Sequence, residues 1–133
     1  MKRITEFEDP ILGKLLLSED EDWWEGSVKI KEKRIGFKIG GNSEPSRKLL
    51  VHAHDIIRSY NEFEEMVAVF LLAESERFRS FAEEIRKLII HNICLYWPER
   101  PNDGMIYFIG PNEFRLWRCD YLNRKPYKLG FDS

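Results

Sequence analysis

The period of the hydrophobic pattern changes twice along the chain. Between Ser43 and Leu88 apolar residues recur at steps of three and four. They are Leu49, Leu50, Ala53, Ile56, Ile57 and Tyr60, then Phe63, Met66, Val67, Phe70 and Leu71, then Phe78, Phe81, Ala82 and Ile85. That spacing places each group on one stripe of a helix. Ser43 is the expected N-cap, with Pro45 close behind, where a missing N–H matters little. Ser59-Tyr60-Asn61 separates a first helix from a second with Glu62, Glu64 and Glu65 in its first turn, and the pattern restarts after Ala73-Glu74-Ser75. Two or three amphipathic helices are predicted.

On either side the pattern is that of strands. Phe7-Glu8-Asp9-Pro10 reads as a polar lead into a first strand, Ile11 to Leu17, and the charged turn Ser18 to Asp22 follows. Trp23 to Ile30 and Ile35 to Ile39 make a second and a third strand, joined by a charged loop at Lys31 to Lys33. Gly40-Gly41-Asn42 ends this meander. After the helices, Leu88 to Trp97 suits a strand or a helix end, and its β-branched residues and the stop at Pro98 favour the strand. Met105 to Ile109, Glu113 to Tyr121, and a short run through Tyr127, Leu129 and Phe131 complete a second meander. The predicted fold is α+β in one domain over 1–133: a three-stranded antiparallel meander, two to three helices, and an antiparallel meander of about four strands.

Composition supports a globular protein. The 133 residues are 43% hydrophobic, 33% charged and 14% aromatic, enough apolar surface to build a core without metals or disulfides. A net charge of −2 singles out neither nucleic acid nor membrane as a partner. The two cysteines, Cys94 and Cys119, lie in apolar runs without metal spacing and read as reduced core thiols, although the two could face each other in the second meander. No apolar run reaches the length of a membrane span, and the opening Met1 to Asp9 lacks the apolar run of a secretion signal, so a cytoplasmic protein is expected.

The opening Phe7-Glu8-Asp9-Pro10-Ile11-Leu12-Gly13-Lys14-Leu15, followed by Asp22-Trp23-Trp24-Glu25-Gly26, resembles the start of a family of small bacterial proteins catalogued only as a domain of unknown function. The resemblance implies three strands, a helical middle and a C-terminal antiparallel meander. It carries over no catalytic residue. Leu116 to Tyr121 departs from the ending of that family.

Candidate chemistry is sparse. His52 and His54 are two apart on a predicted helix, so they point about 200° from each other and do not share a metal. The acidic run Glu19 to Asp22 lacks the spaced oxygens and glycine of a calcium loop, and Gly40-Gly41 lacks a phosphate-loop pattern. No metal or other cofactor is expected. The most informative stretch is the strand from Glu113. Phe114, Leu116, Arg118 and Asp120 share one face, and Arg115, Trp117, Cys119 and Tyr121 share the other. Helices cover one face of an open antiparallel sheet, so a second apolar face is either buried some other way or presented to a partner.

Two functional expectations follow. The first is a non-enzymatic protein-binding module, of the immunity or accessory-factor kind or a homodimer, using Trp23, Trp24, Arg115, Trp117 and Tyr121, residue types that anchor interfaces. The second is a small enzyme or ligand-binding domain with a pocket between the helices and the C-terminal sheet, using the polar cluster His91, Arg118, Asp120 and Asp132. Nucleic-acid binding through Arg115, Arg118, Arg124, Lys125 and Lys128 is disfavoured by the net charge.

Overall fold

The computed structural model describes residues 4–20 and 22–132. The first three residues of the opening, Met1 to Arg3, and Glu21 of the acidic run lie outside them. Among the described residues eight strands form one sheet whose spatial order is the order in the chain. They are β1 (Glu6–Asp9), β2 (Gly13–Leu17), β3 (Trp24–Ile30) and β4 (Lys33–Ile39), then β5 (Ile89–Leu95), β6 (Gly104–Ile109), β7 (Leu116–Leu122) and β8 (Lys125–Asp132). Helices α1 (Arg47–Arg58), α2 (Tyr60–Arg77) and α3 (Ala82–Arg86), with a 3-10 turn at Arg79–Phe81 before α3, connect β4 to β5. The protein is thus α+β, with three helices and a mostly antiparallel sheet.

The two predicted meanders are halves of one sheet. Six of the seven strand pairings are antiparallel, and β4 and β5 join the halves in parallel, Phe37 opposite Ile93 and Ile39 opposite Leu95. A parallel neighbour needs a crossover, which the helices provide. Gly40 extends this seam by donating its N–H to the Leu95 carbonyl at 2.8 Å. A Cβ on Gly40 would stand 2.0 Å from the Tyr96 carbonyl oxygen, so only glycine lets the two backbones approach here.

Three expectations are corrected. Phe7-Glu8-Asp9 is not a lead but strand β1, paired with β2 from Glu6 opposite Leu16 to Asp9 opposite Gly13. The turn between them closes because the Asp9 carboxylate accepts the N–H groups of Ile11 and Leu12 at 3.0 and 2.8 Å, and because Gly13 takes φ +75°. The N-cap of α1 is Ser46, whose hydroxyl accepts the Leu49 N–H, while Pro45 lies before it in a bridge to Gly41. α2 runs unbroken through Ala73-Glu74-Ser75, because Glu74 and Ser75 are buried and both are satisfied there. The Ser75 hydroxyl donates to the Leu72 carbonyl at 2.7 Å, and Glu74 accepts from Arg77 at 2.9 and 3.2 Å. Glu74 also takes the Leu129 N–H on β8 at 3.4 Å.

Register sorts every strand residue onto one of two faces. The row Gly26, Phe37, Ile93, Ile106, Cys119, Leu129 crosses six strands, and the row Ile90, Phe108, Trp117, Phe131 crosses four. Both rows, with a third through Trp24, Ile39 and Leu95, lie under the helices and carry the core, Trp24, Trp117, Ile39, Ile93, Leu95, Ile106 and Cys119 being at 0% exposure. Phe81, between α2 and α3, packs edge-on against Trp117 and Phe131 at 5.7 and 5.2 Å, and Phe63 of α2 meets Tyr121 at 5.9 Å. No described helix is long and apolar enough to cross a membrane.

Candidate functional site

Because the helices all fall in one crossover, they cover one face of the sheet and leave the other bare. On the bare side one row runs across all eight strands: Glu6, Leu16, Glu25, Lys38, Cys94, Met105, Asp120, Lys128. The row beside it is Ser27, Gly36, Asn92, Tyr107, Arg118, Gly130. Trp23, one residue before the buried Trp24, and Tyr96, one residue after the buried Leu95, continue the alternation and meet on this side with ring centres 5.5 Å apart. Trp97 stacks edge-on to Tyr96 at 5.8 Å.

Cations cap this cluster. Lys38 Nζ lies 4.9 Å from the Trp23 ring centre and the Arg100 guanidinium 4.5 Å from that of Trp97. The Trp23 indole N–H donates to Glu25 at 2.5 Å, and Asp103 accepts from Arg100 at 3.1 Å. Beneath the rings Cys94 is fully buried although it belongs to the bare side, and burial pushes its thiol up to about 11 against a hydrogen bond with Tyr96 that pulls it down. Burial likewise raises the Tyr96 hydroxyl. The thiol of Cys119 is pushed up to about 12, again by burial first. The two cysteines do not face each other. Cys94 pairs with Met105 and Cys119 with Ile106, consecutive residues of β6, so they project from opposite faces.

The residues expected to bind a protein divide. Trp24, Trp117 and Tyr121 are core, at 0, 0 and 2% exposure, because helices cover the face they share; a partner cannot reach them in the folded chain. Arg115 is half-buried and spent internally: its guanidinium donates three hydrogen bonds to the Glu84 carboxylate on α3 at 2.7 to 3.2 Å. The Trp117 indole N–H donates to the same carboxylate, and Glu84 is held below the usual carboxylate range by Arg115 first and Trp117 after it, against the opposing effect of burial. Trp23 alone of the five sits on the bare face. Tyr96, Trp97, Lys38 and Arg100 were not singled out in the sequence. The signal for Tyr96 is alternation, since it follows Leu95 of the opposite face, whereas Trp97 lies one residue further, in the loop after β5, and carries no such signal.

The residues expected to line a pocket do not converge between helices and sheet. Arg118 pairs with Asp132 at 3.2 Å across β7 and β8 on the bare side, and Asp120 stands one row along, opposite Lys128. His91 is at the β5 bulge, and Tyr107 of β6 lies between its neighbour Asn92 and Arg118. The histidines of α1 diverge as the helical geometry requires. His52 Nδ1–H donates to the Pro101 carbonyl at 2.5 Å, which leaves Nε2 to accept the Tyr121 hydroxyl at 3.2 Å. Burial lowers the His52 pKa, with Pro101 opposing and Arg124 assisting.

His54 Nε2 instead meets the buried Asp9 carboxylate at 2.8 and 2.9 Å. Burial works to raise the Asp9 pKa, but the Leu12 and Ile11 N–H groups and then His54 outweigh it and hold it below the ordinary value. This pair ties the β1–β2 turn to α1. Among the described residues no cluster of three metal-ligating side chains forms. Compared with family models, curated proteins and solved structures, the chain matches none.

Proposed function

We propose that this chain is a non-enzymatic protein-binding module, of the kind that caps or accompanies another protein, and that it engages its partner through the bare face of the sheet. One observation carries the reading. Trp23 and Tyr96 meet on the uncovered side and Trp97, in the loop after β5, stacks edge-on to Tyr96, with Lys38 over the Trp23 ring and Arg100 over that of Trp97. Tryptophan, tyrosine and arginine dominate the binding energy of protein interfaces, and they do so where large rings sit on a rigid support. Trp23 and Tyr96 flank the ends of β3 and β5, strands whose opposite face is packed core, so these two rings are held with little further ordering on binding.

The acidic and basic groups of the same face argue for recognition rather than chemistry. Among the described residues its ion pairs lie apart from one another, Lys14 with Glu6 between β1 and β2, Lys29 with Glu32 at the β3–β4 turn, Arg100 with Asp103 after β5 and Arg118 with Asp132 between β7 and β8. The test is comparative capture of proteins from a lysate of the source cells on the immobilised chain, on Trp97→Ala and Trp23→Ala, and on Val51→Ala, an exposed residue of α1. The expected result is a protein retained by the parent and by Val51→Ala and lost by both tryptophan variants, all four chains being folded by circular dichroism. Retention that is equal on all four contradicts the reading.

A further inference from the structure

Beside the aromatic cluster the bare face holds a trough of about 640 Å³ that spans β2 to β5. Its floor is the cross-strand row Ser27, Gly36, Asn92. The row is lowest at Gly36, where the Asn92 amide oxygen fills the space of a side chain; a Cβ there would stand 1.9 Å from it. The walls carry Lys14, Arg34 and Lys38, His91 is at one end, and Glu25 is the carboxylate among the described lining residues.

Charge does not cancel in this trough. Glu25 accepts the Trp23 indole N–H, and Lys14 is bridged to Glu6 at 3.5 Å. Arg34 reaches the Ser27 hydroxyl and carbonyl at 3.3 and 3.5 Å, and Lys38 lies over the Trp23 ring. Among the described residues neither is within ion-pair distance of a carboxylate. An arginine presents five donors and a lysine three, so most of theirs are unspent, and the Asn92 amide adds a neutral group between them. Of the other cations of this face, Arg100, Arg118 and Lys29 are bridged to Asp103, Asp132 and Glu32, and Lys128 stands opposite Asp120. Attraction for anions is therefore concentrated in the trough, and Lys38 belongs both to its wall and to the aromatic cluster.

We infer that the trough receives an acidic segment of the partner protein, whose Asp or Glu carboxylates pair with Arg34 and Lys38 while the aromatic cluster holds neighbouring apolar residues. This rests on the binding reading above and adds the charge of the partner. A carboxylate suits the site because a guanidinium can take it through two parallel hydrogen bonds, with the Lys38 ammonium across the same trough as a second cation.

The probe is acetylated hexaglutamate, titrated into the isotope-labelled chain at low salt and followed by NMR, with hexaglutamine as the neutral control. The expected result is a saturable shift of the Ser27, Gly36 and Asn92 amides with hexaglutamate alone. The affinity falls about tenfold in Arg34→Ala combined with Lys38→Ala, about 1.4 kcal/mol for two ion pairs. Absence of a saturable shift, equal shifts with hexaglutamine, or shifts that survive the double variant overturn the inference. The captured partner separates this claim from the one beneath it. Loss of capture on Trp97→Ala with retention on Arg34→Glu and Lys38→Glu overturns the acidic segment and leaves the binding face standing, whereas capture insensitive to Trp97 overturns the face itself. A dimer seen by light scattering that Lys38→Glu dissociates puts a second copy on the trough and overturns the inference too.

Discussion

The two faces of the sheet are built from the same eight strands, yet they do different work. Under the helices the aromatic rings are fully enclosed: Trp117 touches Phe81 and Phe131, and Tyr121 touches Phe63. Trp23 on the bare side instead meets Tyr96 and Lys38, and Trp97 beyond the end of β5 meets Tyr96 and Arg100, all three rings half-buried. Burial converts aromatic area into stability, whereas partial exposure leaves it unspent and available to a partner. A tryptophan is therefore uninformative until its face is known, and one residue of register decides the face.

The largest effect that sharpens this contrast is on stability. Trp117→Ala is expected to lower the unfolding free energy by about 3–5 kcal/mol in a urea titration, since it removes a fully buried ring, and Trp97→Ala by less than about 1 kcal/mol. Equal losses would erase the distinction between the faces. A finer contrast lies within the core. Trp24 and Trp117 are both completely buried, but among the described residues the Trp24 indole nitrogen has no hydrogen-bond partner, whereas that of Trp117 donates to Glu84. Replacement by phenylalanine removes similar volume at each, so Trp117→Phe is expected to cost about 1–3 kcal/mol more than Trp24→Phe.

Smaller still is the contribution of Asp9, which ties the β1–β2 turn to the covered side. Its pKa is depressed in the folded chain, so the stability it contributes is present above the unfolded carboxylate value and is lost as pH falls through the folded one. The gap in stability between the parent and Asp9→Asn should narrow below about pH 4. A gap that is constant with pH would show that the carboxylate charge is not what holds the turn. The smallest effect is kinetic. Neither thiol should react with an aromatic disulfide reagent at pH 8 in the native chain, because burial holds both far above that pH. Tyr96→Ala is expected to expose Cys94 alone, since Cys119 lies on the other face.

Much of the architecture was legible in sequence. Alternation placed Trp117, Cys119 and Tyr121 together opposite Leu116, Arg118 and Asp120, and the helical stripes from Leu49 onward located the cover. What alternation does not carry is which side the helices take, and so Trp24, Trp117 and Tyr121 were assigned to a partner that their burial denies them. Strand β1 was missed because three of its four residues are charged, which suits an edge strand but removes the apolar signal. The continuity of α2 was missed because Glu74 and Ser75 read as a break, and only the distant Leu129 N–H and the helix's own carbonyl show why they are buried. The parallel seam of β4 and β5 joins residues 56 positions apart, and no local pattern announces it. The bare-face site inherited these gaps: Trp23 was found, while Tyr96 and Trp97 sat in a segment read only for strand or helix.

The measurement that bears most directly on the account is hydroxyl-radical footprinting of the native chain, read residue by residue by mass spectrometry. The account predicts rapid oxidation of Trp23 and Trp97, with Trp24 and Trp117 protected until the chain is unfolded. Oxidation of Trp117 at the rate of Trp97 would contradict it, because the face taken here as core would then be open to solvent.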